Sequence, residues 1–268
     1  MVTTALTIAG SDSGGGAGIE ADLKTFEAHG VWGLCAVVAV TAQNTVGVQA
    51  FEGVSPSLVA EQIRSVATDI GIGAAKTGML ASAELVSVVA DSLRSAGSPP
   101  LVVDPVFVSK HGDTLLADDA VASLREALLP LATVVTPNLP EAAALVGVEG
   151  IADRDGMEAA AERLAAFGPW VVLVKGGHLP GEVSPDLVWT GGRALWLEGE
   201  RVPGRHTHGT GCTLSAAVTA EIARGMDPVD ACVAAKRFVT RAIAAGVELG
   251  AGVGPVNPGW EREANRLA

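Results

Sequence analysis

Short apolar runs alternate with amphipathic stretches along almost the whole chain. The apolar runs are rich in Val and do not alternate with polar residues, unlike a strand with one wet face. Such runs are typical of parallel strands that helices cover on both faces. The pattern predicts buried strands at residues 5–10, 35–42, 74–78, 101–106, 133–136 and 170–175.

Helix start and stop signals stand between these runs. Ser55 and Pro56 open one helix, with Pro at its first position, and Gly71 closes it. Ser82 caps a second helix that ends at Gly97. Further helices are predicted after the glycine-rich loop at 10–18, after residue 213, and at 117–129, 138–146, 155–167 and 228–246.

One segment near the C-terminal end has a different pattern. Residues 186–199 alternate between apolar and polar positions around Gly191 and Gly192, which predicts a β-hairpin. An antiparallel hairpin is a common addition to a parallel sheet. Because no repeat, low-complexity stretch or linker divides the chain, residues 1–268 are predicted to form one α/β domain around a large mixed sheet.

Composition excludes several kinds of partner. The net charge of −12, the low aromatic content of 4% and the absence of Tyr argue against nucleic acid, which needs basic grooves and stacking platforms. No apolar run reaches the roughly 18 residues that a membrane span needs, and the N-terminus lacks a secretory signal pattern. The cysteines at 35, 212 and 232 are distant from one another, so neither a disulfide framework nor a zinc site is indicated. We expect a cytoplasmic enzyme.

Polar residues and glycines follow the predicted strands. In open α/β sheets, ligands bind beyond the carboxyl ends of the strands. We therefore expect these loops to converge on one site, although they are distant in sequence. They comprise residues 10–18, 43–44, 78–79, 104–105, 136–138 and 175–178.

The most informative loop is His208-Gly209-Thr210-Gly211-Cys212-Thr213, which precedes a helix. The first N–H groups of a helix have no partners within it, and the positive end of its dipole favours anions. The glycines allow a ligand to approach the backbone. Cys212 could accept a proton there, because a helix N-terminus can lower a thiol pKa. This combination suggests phosphoryl transfer; the alternative for Cys212 is a small packing residue.

Four residues at other strand ends suit a phosphate and its cation. Lys175 follows a buried strand and presents a compact charge for phosphate oxygens, with a surface salt bridge as the alternative. Asp104, Asn138 and Glu141 offer oxygen ligands of the kind that Mg²⁺ takes. Helix capping is a competing or coexisting role for Asn138.

Two residues carry the expectations for a second ligand. The amide of Gln43 has both a donor and an acceptor, which suits the ring nitrogen and amine of an aminopyrimidine. A polar strand end is the alternative interpretation. Asp22 lies in the helix after the glycine-rich loop, where the helix dipole alone would explain an acidic residue.

Together these stretches resemble the ribokinase-like superfamily and, within it, the hydroxymethylpyrimidine/phosphomethylpyrimidine kinases. The resemblance spans most of the chain, in the order found in the family. Sugar kinases of the superfamily usually carry Asp where this chain has Cys212. The matching stretches are 5–18, 21–26, 42–45, 76–80, 103–106, 136–142, 175–178 and 208–213.

The resemblance implies a three-layer α/β/α fold and phosphorylation by ATP, with Mg²⁺, of 4-amino-5-hydroxymethyl-2-methylpyrimidine and then of its monophosphate. It implies only small-molecule ligands, a homodimer, and a mobile flap at 107–115. Asp104 and Glu141 would serve the metal, mostly through water and phosphate, and Cys212 would be the base. The pyrimidine would lie against Gly10, Ala17, Asp22, Gln43, Met79 and Val106; Asp104, Asn138, Glu141, Lys175 and Thr210 would serve ATP; and Gly209, Thr210, Gly211, Cys212 and Lys175 would be the catalytic set.

Two other functions remain open at this point. A pyridoxal or pyridoxine kinase of the same superfamily is the nearest alternative, although Gln43 and Met79 favour the aminopyrimidine. A non-catalytic protein that binds a vitamin precursor is the alternative from another class. Lys175, Glu141 and Cys212 are all present, which argues against it.

Overall fold

The computed structural model describes residues 2–107 and 118–261. Nine strands form a single sheet in the order β3-β2-β1-β4-β5-β6-β7-β8-β9. Pairing is parallel from β2 through β7, and antiparallel for β3, β8 and β9. The strands are β1 Thr4–Gly10, β2 Trp32–Asn44, β3 Gly47–Gly53, β4 Ala74–Thr77, β5 Leu101–Val103, β6 Val134–Val135, β7 Val171–Lys175, β8 Asp186–Thr190 and β9 Arg193–Leu197.

Helices cover both faces of the sheet. One face packs against α2 to α6, and the other against α1, α7 and α8, so the molecule has three layers. A π-helical turn and a 3₁₀ turn, 124–131, continue α4. The helices are α1 Gly18–Ala28, α2 Pro56–Asp69, α3 Ala83–Ser95, α4 Asp118–Ser123, α5 Leu139–Val146, α6 Arg154–Ala165, α7 Thr210–Ala223 and α8 Pro228–Ala244.

The predicted strands and helices are all present, with shifted ends. The predicted strand 35–42 extends to Trp32–Asn44, and the one at 101–106 stops at Val103. The hairpin forms as predicted, because Gly191 and Gly192 both adopt positive φ in the turn between β8 and β9. Helix α7 begins at Thr210, so Cys212 lies in its first turn rather than in the loop before it.

Strand β3 was not predicted. It pairs with the end of β2 as an edge hairpin, and most of its residues are exposed. Without a buried face its sequence carries no strong hydrophobic period, which is the signal that a sequence-based prediction needs. The hairpin matters for the site because Val48 and Phe51 both line the pocket described below.

No helix in the described part of the chain is long and apolar enough to cross a membrane.

Candidate active site

One pocket of about 860 Å³ opens where the strand-end loops meet. Residues from six loops and from the β2–β3 hairpin line it, as the topology of an open α/β sheet requires. Thirteen of the predicted site residues line its wall: Gly10, Ala17, Gln43, Met79, Asp104, Val106, Asn138, Glu141, Lys175, Gly209, Thr210, Gly211 and Cys212.

The N-terminus of α7 forms one end of the pocket. Gly209 precedes the helix with φ +79°, and a Cβ there would overlap the carbonyl oxygen of Gly16. Within the described residues, the N–H groups of Gly211 and Cys212 have no hydrogen-bond acceptor, whereas that of Thr210 makes a 3.4 Å contact with Thr207. Two free amides at a helix N-terminus have the geometry that suits an anion.

A lysine and two carboxylates stand over this helix end. Nζ of Lys175 lies 2.9 Å from Oδ1 of Asp104 and 3.8 Å from Oε2 of Glu141. It is also 3.4 Å from where a Cβ on Gly211 would be. Thr136 and Ser215 donate hydrogen bonds to the Asp104 carboxylate and hold it in place. A cation and two acids therefore lie beside the free amides, as a nucleotide–metal complex would need.

The two carboxylates have different protonation preferences. Burial alone would raise the pKa of Asp104, but the charges of Lys175 and Lys76 and hydrogen bonds hold it below its ordinary value. Burial raises the pKa of Glu141 to about 7, because the lowering effect of Lys175 is opposed by the charge of Asp104.

The predicted capping role of Asn138 is present in the structure. Asn138 and Glu141 form a reciprocal capping box at the start of α5.

These two carboxylates fit a Mg²⁺ ion. A magnesium site typically takes one or two protein carboxylates and completes its octahedron with water and phosphate. The described residues hold no group of three or more His, Cys, Asp or Glu side chains that could enclose a metal by themselves. Burial and the charge of Asp104 raise the pKa of Glu141. A divalent cation beside both carboxylates would favour their ionised forms and lower that pKa.

The thiol of Cys212 does not have the lowered pKa that was predicted from its helix end. Burial raises the pKa of Cys212 to about 12, the charge of Lys76 opposes that rise, and the charges of Asp22 and Asp104 add to it. The thiol is therefore protonated at neutral pH in the ligand-free protein. Its position on the pocket wall is as predicted.

The expectation that Asp22 would line the pyrimidine pocket needs correction. Asp22 is fully buried beneath the pocket and is not among the residues that line it. Its carboxylate lies 2.8 Å from Nζ of Lys76 and accepts a hydrogen bond of 2.6 Å from Thr7. Asp22 instead holds the buried ammonium of Lys76, which reaches the pocket floor and influences the Cys212 thiol.

A polar cluster surrounds Gln43 on the pocket wall. Nε2 of His208 lies 2.8 Å from Oδ2 of Asp12 and 3.4 Å from the side-chain amide of Gln43. Asp12 accepts three further hydrogen bonds, from the backbone amides of Gly14, Gly16 and Ala17. Asp12 therefore orders the glycine-rich loop and joins it to the loop that begins α7.

Three residues that line the pocket were given no role in the sequence analysis: Asp12, Lys76 and His208. A signal for Lys76 existed: a lysine inside a strand buried on both faces requires a carboxylate partner. No such signal exists for Asp12 and His208, which are 196 positions apart. Of the predicted flap at 107–115, Phe107 lines the pocket, and residues 108–115 lie outside the described residues.

Comparison with known proteins identifies the family. The family model described as "Phosphomethylpyrimidine kinase" matches residues 12–257. The hydroxymethylpyrimidine/phosphomethylpyrimidine kinase of Streptomyces coelicolor is 54% identical over 255 residues, which cover 95% of this chain and 94% of the relative.

Solved structures support the fold. A phosphomethylpyrimidine kinase from Clostridium difficile is 40% identical, with a TM-score of 0.80 over 91% of this chain and 100% of the other. An ADP complex of Bacillus subtilis pyridoxal kinase is 39% identical, with a TM-score of 0.92 over 98% of this chain and 99% of the other. The predicted ribokinase-like α/β architecture is confirmed, and the chain belongs to the phosphomethylpyrimidine kinase family.

Proposed function

We propose that this protein transfers a phosphoryl group from ATP to 4-amino-5-hydroxymethyl-2-methylpyrimidine and then to the resulting monophosphate, in thiamine biosynthesis. The observation that carries the proposal is a pocket whose wall holds both the free amides of Gly211 and Cys212, beside Lys175, and the side-chain amide of Gln43. Relatives named hydroxymethylpyrimidine/phosphomethylpyrimidine kinase are about half identical to this chain in sequence.

The phosphates of ATP would lie between the start of α7 and the charged cluster. Lys175 would contact phosphate oxygens, and Asp104 and Glu141 would hold Mg²⁺, largely through water. Held by Asp104 and Glu141, the metal would supply positive charge against the charge that develops on the transferred phosphoryl group. Asn138 fixes Glu141 through the capping box, and Thr210 places the helix end by its hydrogen bond to Thr207.

In the first transfer, the hydroxymethyl oxygen attacks the γ-phosphorus of ATP. A new P–O bond forms, the bond from the γ-phosphorus to the bridging oxygen of ADP breaks, and the hydroxyl proton leaves. Cys212 is the candidate proton acceptor in its thiolate form, after its own proton has passed to solvent, because its sulfur lies in the first turn of α7 beside the free amides. Those amides and Lys175 would stabilise the charge of the transition state.

The second transfer differs in its acceptor. A phosphate monoester is mostly dianionic at neutral pH, so it has no proton that a base must remove. It needs cationic groups and amide dipoles that let two phosphates approach each other. Lys175, Lys76 and the N-terminus of α7 line the pocket and would provide them. One site can thus serve both steps, with Cys212 needed only for the first.

A substrate panel with ATP and Mg²⁺, with products identified by mass, tests this function. We expect phosphorylation of the aminopyrimidine alcohol and little turnover of pyridoxal, because the amide of Gln43 matches the edge of an aminopyrimidine. Faster turnover of pyridoxal would favour the alternative suggested by the similarity to Bacillus subtilis pyridoxal kinase. ATP-independent binding without turnover would favour a binding protein.

We also propose a homodimer that forms through the β2–β3 hairpin in a reducing cytoplasm. β3 is the last strand of the sheet on its side, and the hairpin exposes Val40 and Val46. Light scattering after gel filtration tests this assembly: Val46→Lys should give a monomer, and Trp170→Lys, at an exposed position beside β7, should not. The cysteines at 35, 212 and 232 are unpaired, as a reducing compartment would leave them.

A further inference from the structure

The proton positions around Gln43 follow from its neighbours. The carboxylate of Asp12 accepts hydrogen bonds from the backbone N–H groups of Gly14, Gly16 and Ala17, and these donors favour its ionised form. Burial raises the pKa of Asp12, but the His208 and backbone hydrogen bonds outweigh it and keep the group ionised. Because an ionised carboxylate only accepts, Nε2 of His208 carries a hydrogen toward it.

The side-chain amide of Gln43 has a donor end and an acceptor end of nearly equal shape, so its orientation is decided by its hydrogen-bond partners. As placed, Nε2 of Gln43 faces Nε2 of His208 at 3.4 Å, and two donors meet. Oε1 faces Oγ1 of Thr41 at 3.5 Å, but that hydroxyl already donates to the carbonyl oxygen of Ser11 at 2.9 Å. Two acceptors meet there.

A half-turn of the amide corrects both contacts at once. Oε1 of Gln43 then lies on the side of the His208 Nε2–H, which already donates to Asp12 at 2.8 Å and gives Gln43 only a second, longer contact. Nε2 of Gln43 donates to the hydroxyl oxygen of Thr41. The two neighbours favour the same orientation independently. One N–H and one oxygen lone pair of Gln43 remain for a ligand, in a fixed order along the pocket wall.

We propose that the Asp12–His208 pair is a specificity determinant that fixes the order of donor and acceptor on Gln43, and so selects a ring whose exocyclic donor lies beside a ring acceptor. An aminopyrimidine has this order, and the corresponding 4-oxo pyrimidine has the reverse one. This inference rests on the proposed function, because it assumes that the pyrimidine binds against Gln43. Asp12 and His208 are positioning residues that act through Gln43.

The ratio of kcat/KM values for the 4-amino and 4-oxo hydroxymethylpyrimidines tests the inference. A site built to hydrogen-bond one edge rejects the mismatched one, and we expect the wild type to prefer the amino compound by roughly 100-fold or more. His208→Phe keeps the ring but removes the N–H, which frees Gln43 to turn, and we expect the preference to fall at least tenfold. Asp12 keeps its three backbone donors in this variant.

His29→Phe is the matched control, because the His29 ring packs at a tilt against Phe238 and does not line the pocket. It should leave the ratio unchanged. If His208→Phe lowered turnover of both pyrimidines equally, the pair would have only a structural role and the inference would be wrong. If the wild type phosphorylated neither compound, the proposed function would fail, and calorimetric binding of the two pyrimidines without ATP would decide the inference by the same ratio.

The imidazole nitrogens of His208 give a second test that needs no variant. Nitrogen-15 NMR of the wild type should show a hydrogen on Nε2 at neutral pH. A bare Nε2 would make His208 an acceptor toward Gln43, and would overturn the proposed order.

Discussion

At the scale of single residues, the pocket changes the ordinary acid–base behaviour of its side chains. Burial raises the pKa of Cys212 to about 12 and that of Glu141 to about 7, while neighbouring lysines keep the pKa of Asp104 low. Asp104 and Glu141 were predicted from their places after buried strands, and Cys212 from the glycine loop before a helix. Their protonation was not, because it depends on burial and on charges from distant parts of the chain.

The raised pKa of Cys212 makes the first transfer depend on pH. The thiolate fraction rises tenfold per pH unit below the pKa, so kcat/KM with the alcohol should rise steadily from about pH 6 to about pH 9. Cys212→Ala should lower kcat roughly 100-fold and flatten the profile. Steady-state rates at saturating ATP and Mg²⁺ measure this, with Cys35→Ala as the control. Near-normal turnover in Cys212→Ala would mean that the base lies elsewhere.

The raised pKa of Glu141 links stability to pH. An acid with a pKa of about 7 in the folded protein, against an ordinary 4.5, stabilises the fold fully below the lower value. That contribution is lost as the pH rises toward 7. At about pH 8, Glu141→Gln should therefore raise the free energy of unfolding by about 1–3 kcal/mol.

Urea denaturation between about pH 5 and pH 8, without nucleotide, measures the Glu141 effect. Gln keeps the capping contact with Asn138, so the comparison isolates the charge. Glu162→Gln, on the exposed face of α6, is the control and should follow the wild type. Parallel stability curves for wild type and Glu141→Gln would contradict the account.

At the scale of elements, hydrophobic pattern and capping signals predicted the parallel strands and most helices. Edge strand β3 escaped prediction because it has no buried face, and α7 begins earlier than predicted because Gly211 weakens the helix signal at its start. The Lys76–Asp22 pair, which ties β4 to α1, was also missed. Apolar periodicity shows that a strand is buried, but it does not show which distant helix supplies a carboxylate.

The buried Lys76–Asp22 ion pair should contribute to the free energy of unfolding. Lys76→Met leaves the Asp22 carboxylate buried without its cation, and should lower the free energy of unfolding by about 3–5 kcal/mol. The double variant Lys76→Met/Asp22→Asn removes both charges and should recover much of that loss. Chemical denaturation of the single and double variants measures the difference. A double variant as unstable as Lys76→Met would mean that lost packing, rather than the unpaired charge, dominates.

At the scale of the whole molecule, the sheet brings together residues that are distant in the sequence. Parallel pairing from β2 to β7 brings the strand-end loops to one edge, and α7 closes that edge with its N-terminus. The rule for open α/β sheets predicted this convergence. The cross-links within the pocket, such as His208 to Asp12, emerge only in the folded chain. Among the described residues, the free amides and the charged cluster lie in the same pocket, which would have to serve both proposed transfers.

Single-step rates with the alcohol and with its monophosphate, each measured as a separate substrate with ATP and Mg²⁺, test whether this pocket serves both transfers. We expect the wild type to complete both steps and to yield the diphosphate, identified by mass. Cys212→Ala should impair the alcohol step at least tenfold more than the monophosphate step, because a dianion needs no base. Lys175→Ala should impair both steps. A wild type that stops at the monophosphate would contradict the account.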